Sequence, residues 1–250
     1  MKSDVGGLEE LLKNYIRWLL MPGFDLFTRR RVRLCRYWLR GPRCVLDAGS
    51  GNGWFSYLAY RSGATVTAIN FNETEVQKAI KFYNVWLAVP SEQLQFIKLN
   101  LYEIGSLKHG FDEIICYEAL EHIKDDIRIG KEFYRLLKPG GILHLCCPNA
   151  NHPKWRNELL DLEERGYHVR SGYNLDSYRL LLQPIGFEIK DVEGMGGLIL
   201  SWLCCITSKM RNRFGDVLSA PLILSAIPFV WLDPIHPRCP YSIYVRAVKR

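Results

Sequence analysis

The segment Asp47-Ala-Gly49-Ser50-Gly51-Asn-Gly53 sets a carboxylate two residues ahead of three alternating glycines, directly after the apolar pair Val45-Leu46. Glycine lets the backbone turn sharply and approach a ligand closely, and a helix that follows presents unpaired N–H groups in its first turn. An acid at the mouth of such a turn suits a cationic amino group, which a pyrophosphate does not offer. Two common nucleotide motifs fail here. The dinucleotide fingerprint needs a third glycine where Trp54 stands, and no Gly-Lys-Ser/Thr ending completes a phosphate loop. A nicotinamide or flavin enzyme is therefore disfavoured, and a tight turn without a ligand is the plain alternative.

This loop needs a sheet to carry it. From residue 43 short apolar runs alternate with helical stretches, which predicts strands at 43–48, 64–70, 93–99, 111–117 and 141–147 and helices at 53–62, 72–88 and 124–137. A helix at 173–183, a strand at 185–192 and a last strand at 241–248 complete the layer. The expected fold class is α/β, a doubly wound, mostly parallel seven-stranded sheet covered on both faces. Pro139-Gly140-Gly141 punctuates the entry to the fifth strand. Residues 1–42 read as a helical extension, with helices at 8–21 and 27–40 parted near Pro22-Gly23. The second helix carries Arg29, Arg30, Arg31, Arg33, Arg36 and Arg40 beside Val32, Leu34, Tyr37 and Leu39. Its basic side is either a solvated face or a contact for a membrane or an anionic substrate.

With 250 residues, 48% of them hydrophobic and 24% charged, the chain can bury a substantial core as one large domain or two small ones. Its 33 basic and 26 acidic side chains leave a formal charge of +7, compatible with nucleic acid, anionic lipid or an acidic substrate. Eight cysteines contain no Cys-x-x-Cys pair and several fall in buried strand runs, favouring reduced structural thiols over a zinc site or a disulfide framework. The first 40 residues carry charges throughout and lack an apolar core with a small-residue cleavage site, so secretion is not indicated.

The glycine segment, with Glu118-Ala-Leu-Glu-His-Ile123 and Leu137-Lys-Pro-Gly-Gly-Ile142, resembles the class I S-adenosylmethionine-dependent methyltransferases, particularly the small-molecule branch, over about residues 43–193. The resemblance implies a Rossmann-like methyltransferase domain at 43–250 that uses S-adenosyl-L-methionine. Asp47, Gly49, Ser50, Gly51 and Gly53 would hold the methionine portion of the donor. Where the family usually places an acid for the ribose hydroxyls this chain has Asn70, followed by Phe71; an amide hydrogen-bonds without the carboxylate's charge. Asn100 and Leu101 would meet adenine, and Glu118, Ala119 and Tyr117 would line the cleft.

Beyond the donor, His122 and His168 are candidate catalytic bases, because imidazole takes a proton near neutral pH; hydrogen-bonded scaffold roles are the alternative. The polar stretch 148–172 is expected to act as a lid, with His152, Arg170 and Tyr173 joining Tyr117 as substrate-binding candidates; a helical 155–165 covering the outside is the alternative. Residues 194–240 interrupt the family's usual turn into the last strand. Within them Leu198–Ile206 is apolar, Lys209, Arg211 and Arg213 are basic, and Val217–Leu232 is a run of 16 uncharged residues with Pro221 and Pro228. That run falls short of the roughly 20 residues of a bilayer span. Peripheral membrane contact through 198–232, internal packing and protein association are the open readings. The expected reaction is O-methylation of a hydrophobic small molecule, a lipid-linked intermediate or a glycan, in the cytoplasm or at the inner face of a membrane. The rivals are an RNA methyltransferase, supported by charge but by no Asn-Pro-Pro-Tyr-like motif, and a non-catalytic S-adenosylmethionine-binding regulator. No metal is expected, since His, Asp and Glu are dispersed along the chain, and the oligomeric state is left open.

Overall fold

The computed structural model describes residues 25–250 apart from 109, 157–159, 162, 165 and 235; the helix expected at 8–21 lies outside the described residues. Helix α1 (Leu26–Arg31) opens it, followed by a 3-10 turn (Val32–Tyr37). Then come β1 (Arg43–Ala48), α2 (Trp54–Arg61), β2 (Ala64–Asn70), α3 (Glu73–Ala79), β3 (Leu94–Lys98), β4 (Phe111–Tyr117), α4 (Asp126–Leu136) and β5 (Leu137–Pro148). The chain closes with α5 (Pro153–Arg156), α6 (Leu175–Leu182), β6 (Phe187–Met195), α7 (Leu198–Ala226) and β7 (Ser242–Lys249).

The strands form one seven-stranded sheet in the order β3-β2-β1-β4-β5-β7-β6, parallel except for β7, which runs antiparallel to both β5 and β6. Successive side chains on a strand point to opposite faces, so each central strand feeds two cores. Leu46, Ile114, Cys116, Leu145 and Cys147 pack on one face with Phe133 of α4 and Tyr178 of α6. Val45, Ile115, Tyr117 and Cys146 pack on the other with Tyr57 of α2 and with Leu34 and Trp38. The expected strands stand where the apolar runs put them, because a strand buried on both faces needs a continuous apolar run.

The helices depart more. The one expected at 27–40 is α only to Arg31, tightens to 3-10 and ends at Trp38, whose backbone is extended. There the Leu39 N–H is captured by the Glu113 carboxylate at 2.8 Å, which stops the helix. The long helix expected at 72–88 continues past Ala79 as a π turn over Ile80–Trp86. The wider turn brings Tyr83 into the core, stacked between Tyr57 and Phe96 at 5.2 and 5.5 Å.

A third, smaller core lies beyond the sheet. Leu200, Ile223, Ala226 and Val230 of the insert pack with Leu26, Phe27, Trp155 and Tyr241. Gly215 breaks α7 with φ 76°, ψ 173°, so the insert is two helical arms rather than one rod. Its first turn is capped from its own far end: Asp233 accepts hydrogen bonds from the N–H groups of Gly197 (2.6 Å) and Leu200 (3.1 Å). A carboxylate there satisfies orphan donors and complements the helix dipole. Among the described residues no helix is long and apolar enough to cross a membrane.

Candidate active site

The glycine loop follows β1 at the carboxyl edge of the sheet. Backbone N–H groups of Gly49 and Ser50 both donate to the Ile69 carbonyl at the end of β2, at 3.0 and 2.9 Å, and Gly53 N–H donates to Ser50 O at 2.8 Å. The three glycines answer different demands. A Cβ on Gly49 would lie 2.7 Å from the Ala119 Cβ, and one on Gly53 would lie 2.7 Å from Phe96 and 2.8 Å from Tyr83. Gly51, with φ +52°, borders open space. Two of them therefore let elements close together, and the third keeps the cleft clear.

That cleft has two lobes, of about 420 and 310 Å3, which share Gly49, Gly51 and Glu118. The first is walled by Asp47, Ser50, Asn52, Phe55 and Tyr117 from the sheet side and by Asp25, Phe27, Thr28, Arg31 and Tyr241 from α1 and the end of the insert. The second is walled by Asn70, Phe71, Asn100, Leu101, Tyr102, Ala119 and His122, with Glu164 and Gly166 reaching over from the segment after β5.

Asp47 is buried and accepts a hydrogen bond from Ser56 Oγ at 2.5 Å. Burial outweighs that bond and pushes its carboxyl up to about 6, and no cation is paired with it among the described residues. Glu118 holds a left-handed backbone, φ 51°, strained for a residue with a side chain. Its carboxyl accepts from Arg31 Nη2 at 2.9 Å and Ser242 Oγ at 3.1 Å. Burial raises the Glu118 pKa and Arg31 partly offsets the shift. The buried Arg31 Nε has no hydrogen-bond partner among the described residues, although it belongs to a side chain that lines the first lobe. A carboxylate of a bound molecule would supply what that donor lacks.

The Asn70 amide gains a role that an acid could not fill. Its Nδ2 donates to Gly51 O at 3.3 Å while Oδ1 accepts from Asn72 N–H at 2.9 Å, tying the glycine loop to the cap of α3. Asn100 spends its Oδ1 on the Tyr102 N–H at 3.0 Å, capping the 3-10 turn Leu101–Ser106. Of the residues expected at the donor, Gly53 alone lines neither lobe; it starts α2 and packs beneath the loop.

The acceptor-side expectations fare differently. His122 lines the second lobe, and His168 lies behind it, ring centroids 4.8 Å apart, outside both lobes. Between them sits the fully buried Glu121, whose carboxyl oxygens have no hydrogen-bond partner among the described residues; burial first and the Glu118 charge second push its pKa up to about 8. The ligand atoms of Glu121, His122 and His168 all lie within 4.8 Å of one another, a set able to share a metal ion. The expectation of no metal rested on spacing along the chain, and the fold supplies a proximity that spacing does not show. Tyr117 lines the first lobe and accepts from Trp38 Nε1 at 3.3 Å. Arg170 and Tyr173, expected at the substrate, have other partners in the structure. Arg170 pairs with Asp126 and donates to the carbonyls of Ile123 (2.7 Å) and Lys124 (2.8 Å), while Tyr173 donates to Asp126 at 2.6 Å. Both brace the turn after β4, and neither lines the cleft. His152 lines a third cavity, outside the cleft.

Sequence reasoning missed Asp25, Phe27, Thr28, Arg31 and Tyr241 as walls of the first lobe. The arginine run was a signal, but which arginine turns inward depends on how α1 seats on the insert.

The residues fit S-adenosylmethionine: an acid with no cation paired to it among the described residues, a buried guanidinium whose Nε lacks an acceptor, and a glycine cradle between two lobes. Residues 24–192 match the family model described as a methyltransferase domain, and the chain belongs to that family. It is a methyltransferase dependent on S-adenosylmethionine. Over 160 residues it is 28% identical to a ubiquinone biosynthesis O-methyltransferase of Pseudomonas paraeruginosa, covering 61% of this chain and 68% of the relative. The fold is shared with a SAM-dependent methyltransferase from Aquifex aeolicus (17% identity, TM-score 0.59, 94% and 97% of the two chains). It is also shared with phosphoethanolamine N-methyltransferase 2 of Haemonchus contortus in complex with S-adenosyl-L-methionine (18% identity, TM-score 0.60, 89% and 52%).

Proposed function

We propose that this methyltransferase acts on an oxygen of a hydrophobic small molecule, whether free, lipid-linked or part of a glycan. The observation that carries the reading is the first lobe, where the donor-side residues Asp47 and Gly51 meet the aromatic walls Phe27, Phe55, Tyr117 and Tyr241 in one space. Bound S-adenosylmethionine supplies a methyl group made electrophilic by its sulfonium. Asp47 and Arg31 hold the amino and carboxylate ends of its methionine portion, Asn70 and Phe71 its ribose, and Asn100 and Leu101 its adenine. With the donor bound, the aromatic walls would orient the acceptor beside it and exclude water, which would supply much of the advantage without a strong base. His122, which lines the second lobe, takes the proton of an acceptor that reaches past the shared Gly49, Gly51 and Glu118, and His168 positions that ring. Residues 148–172 act as the lid, through Glu164 and Gly166 at the second lobe. The relative named a ubiquinone biosynthesis O-methyltransferase supports oxygen as the nucleophile.

The insert supports a membrane-surface setting. Leu198 and Trp202 are 83% and 64% exposed, and Phe214, Leu218, Phe229, Trp231 and Leu232 are exposed as well, beside the cations Lys209, Arg211 and Arg213. Exposed aromatics next to cations are the composition of an interfacial element that meets anionic headgroups.

Turnover tests the reaction. With S-adenosylmethionine and a panel of apolar phenols and alcohols, a product 14 mass units heavier at oxygen is expected. His122→Gln should lower kcat about a hundredfold, partly recovered at high pH, and His168→Gln less. Donor binding with no methylated product across phenols, alcohols and RNA would favour a regulator, and product on RNA alone would favour that rival. For the membrane setting, Trp202→Ser with Trp231→Ser should reduce sedimentation with phosphatidylglycerol vesicles at least fivefold; unchanged sedimentation overturns it.

A further inference from the structure

A third cavity of about 600 Å3 opens beside the first lobe and shares Asp25, Phe27 and Tyr241 with it. Phe27 and Tyr241 stack at 3.9 Å and form the sill between the two spaces. The insert supplies the opposite wall. Ser201, Cys204, Cys205, Ser208 and Asn212 recur at three- and four-residue steps, so they share one face of the first arm of α7, and all line the cavity. Leu198, Trp202 and Lys209 occupy the adjoining strip of the same arm, at steps of four and seven, with both apolar side chains exposed.

The charges of this cavity have one sign in excess. Lys154, Lys209 and Arg211 line it, against the single carboxylate of Asp25. Asp25 is already engaged, accepting from Phe27 N–H and from the Thr28 hydroxyl as the cap of α1. Lys154 is aimed at the sill: its ammonium donates to the Tyr241 hydroxyl and lies 4.8 Å from that ring and 4.2 Å from the Trp155 ring. Ser201 adds a buried hydroxyl oxygen without a hydrogen-bond partner among the described residues. Cations, hydroxyls and an amide converging on one cavity match a phosphate-type oxyanion, which accepts several hydrogen bonds at once.

We propose that this cavity binds the phosphate-type group of an amphiphilic acceptor whose methylated end passes the Phe27–Tyr241 sill into the first lobe and whose apolar chain lies along Leu198 and Trp202. The proposal rests on the reading of the first lobe as the acceptor site and adds the charge of the acceptor to it. The anion fixes how far the molecule enters, so Lys154, Lys209 and Arg211 select the acceptor rather than take part in methyl transfer.

Calorimetry on the full chain, loaded with S-adenosylhomocysteine, tests this with decyl phosphate, decanol, decyltrimethylammonium and inorganic phosphate, each below any micellar range and without vesicles. Decyl phosphate is expected to bind once per chain, at least tenfold more tightly than decanol or inorganic phosphate, with the cationic probe weakest. Lys209→Glu with Arg211→Glu, both surface-exposed, should erase the preference over decanol and leave S-adenosylhomocysteine affinity unchanged. Ser201→Phe fills the cavity without altering charge and should weaken decyl phosphate comparably. Equal affinity for decyl phosphate and decanol, or a preference that survives both variants, overturns the proposal. Equal affinity for inorganic and decyl phosphate overturns the amphiphile and leaves an anion site. If S-adenosylhomocysteine does not bind, the functional reading fails separately, and titration of decyl phosphate into the free protein still reports on the cavity.

Discussion

The donor cleft and the insert are held together in opposite ways. At the cleft the loop is fixed by backbone bonds to Ile69 O, by glycines pressed against Ala119, Phe96 and Tyr83, and by strands buried on both faces. The insert stands on a satellite core of eight buried residues, a mid-helix break at Gly215 and one capping carboxylate, Asp233, while much of its apolar surface is exposed. A donor common to many reactions is best met by a rigid site. Acceptors differ, and the element facing them has few constraints to satisfy, as expected where loops carried by a stable scaffold set specificity.

The sharpest way to break this comparison is at Gly53. Valine there would combine a positive φ of 78° with a Cβ 2.7 Å from Phe96, and the strain and overpacking together should cost about 4 kcal/mol. Urea unfolding should show the loss, whereas Gly51→Ala, which meets open space, should cost about 1 kcal/mol and act chiefly on donor affinity.

Asp47 offers the next effect. Its folded pKa, about 6 against an ordinary 3.8, means that the folded free protein binds the extra proton, so stability falls as pH rises from about 4 to about 6. Asp47→Asn removes that loss and should stabilise the free protein at pH 7 by up to about 3 kcal/mol, while weakening S-adenosylmethionine binding at least tenfold. In the unmodified chain the donor's ammonium favours the ionised acid. Donor affinity should therefore decline about tenfold per unit below pH 6, and the variant should flatten that slope in calorimetry. A wild-type affinity independent of pH between 5 and 7 would remove Asp47 from the ammonium site.

The smallest effect sharpens the other side. Asp233→Ala unpairs the first turn of α7 and should cost about 1–2 kcal/mol locally. Faster amide exchange over residues 197–226 with unchanged S-adenosylhomocysteine affinity is expected; a matching loss of donor binding would show that the two regions are one cooperative unit.

Much of this molecule was legible in its residues. Strands buried on both faces require continuous apolar runs, and a close-approach loop requires glycine, so β1 to β5, the glycine loop and the second-lobe residues Asn70, Asn100, Glu118 and Ala119 follow from local physics and from the motifs. What tertiary structure alone decided is which side chains from distant segments meet. Arg31 reaches Glu118 across 87 positions only because α1 seats on the insert. Glu121, His122 and His168 converge because the segment after β5 folds back over the turn after β4. Arg170 and Tyr173, polar residues in a promising loop, are turned by Asp126 into braces. Sequence spacing reports periodicity within an element; proximity between elements depends on how several cores pack at once, and no single segment carries that information.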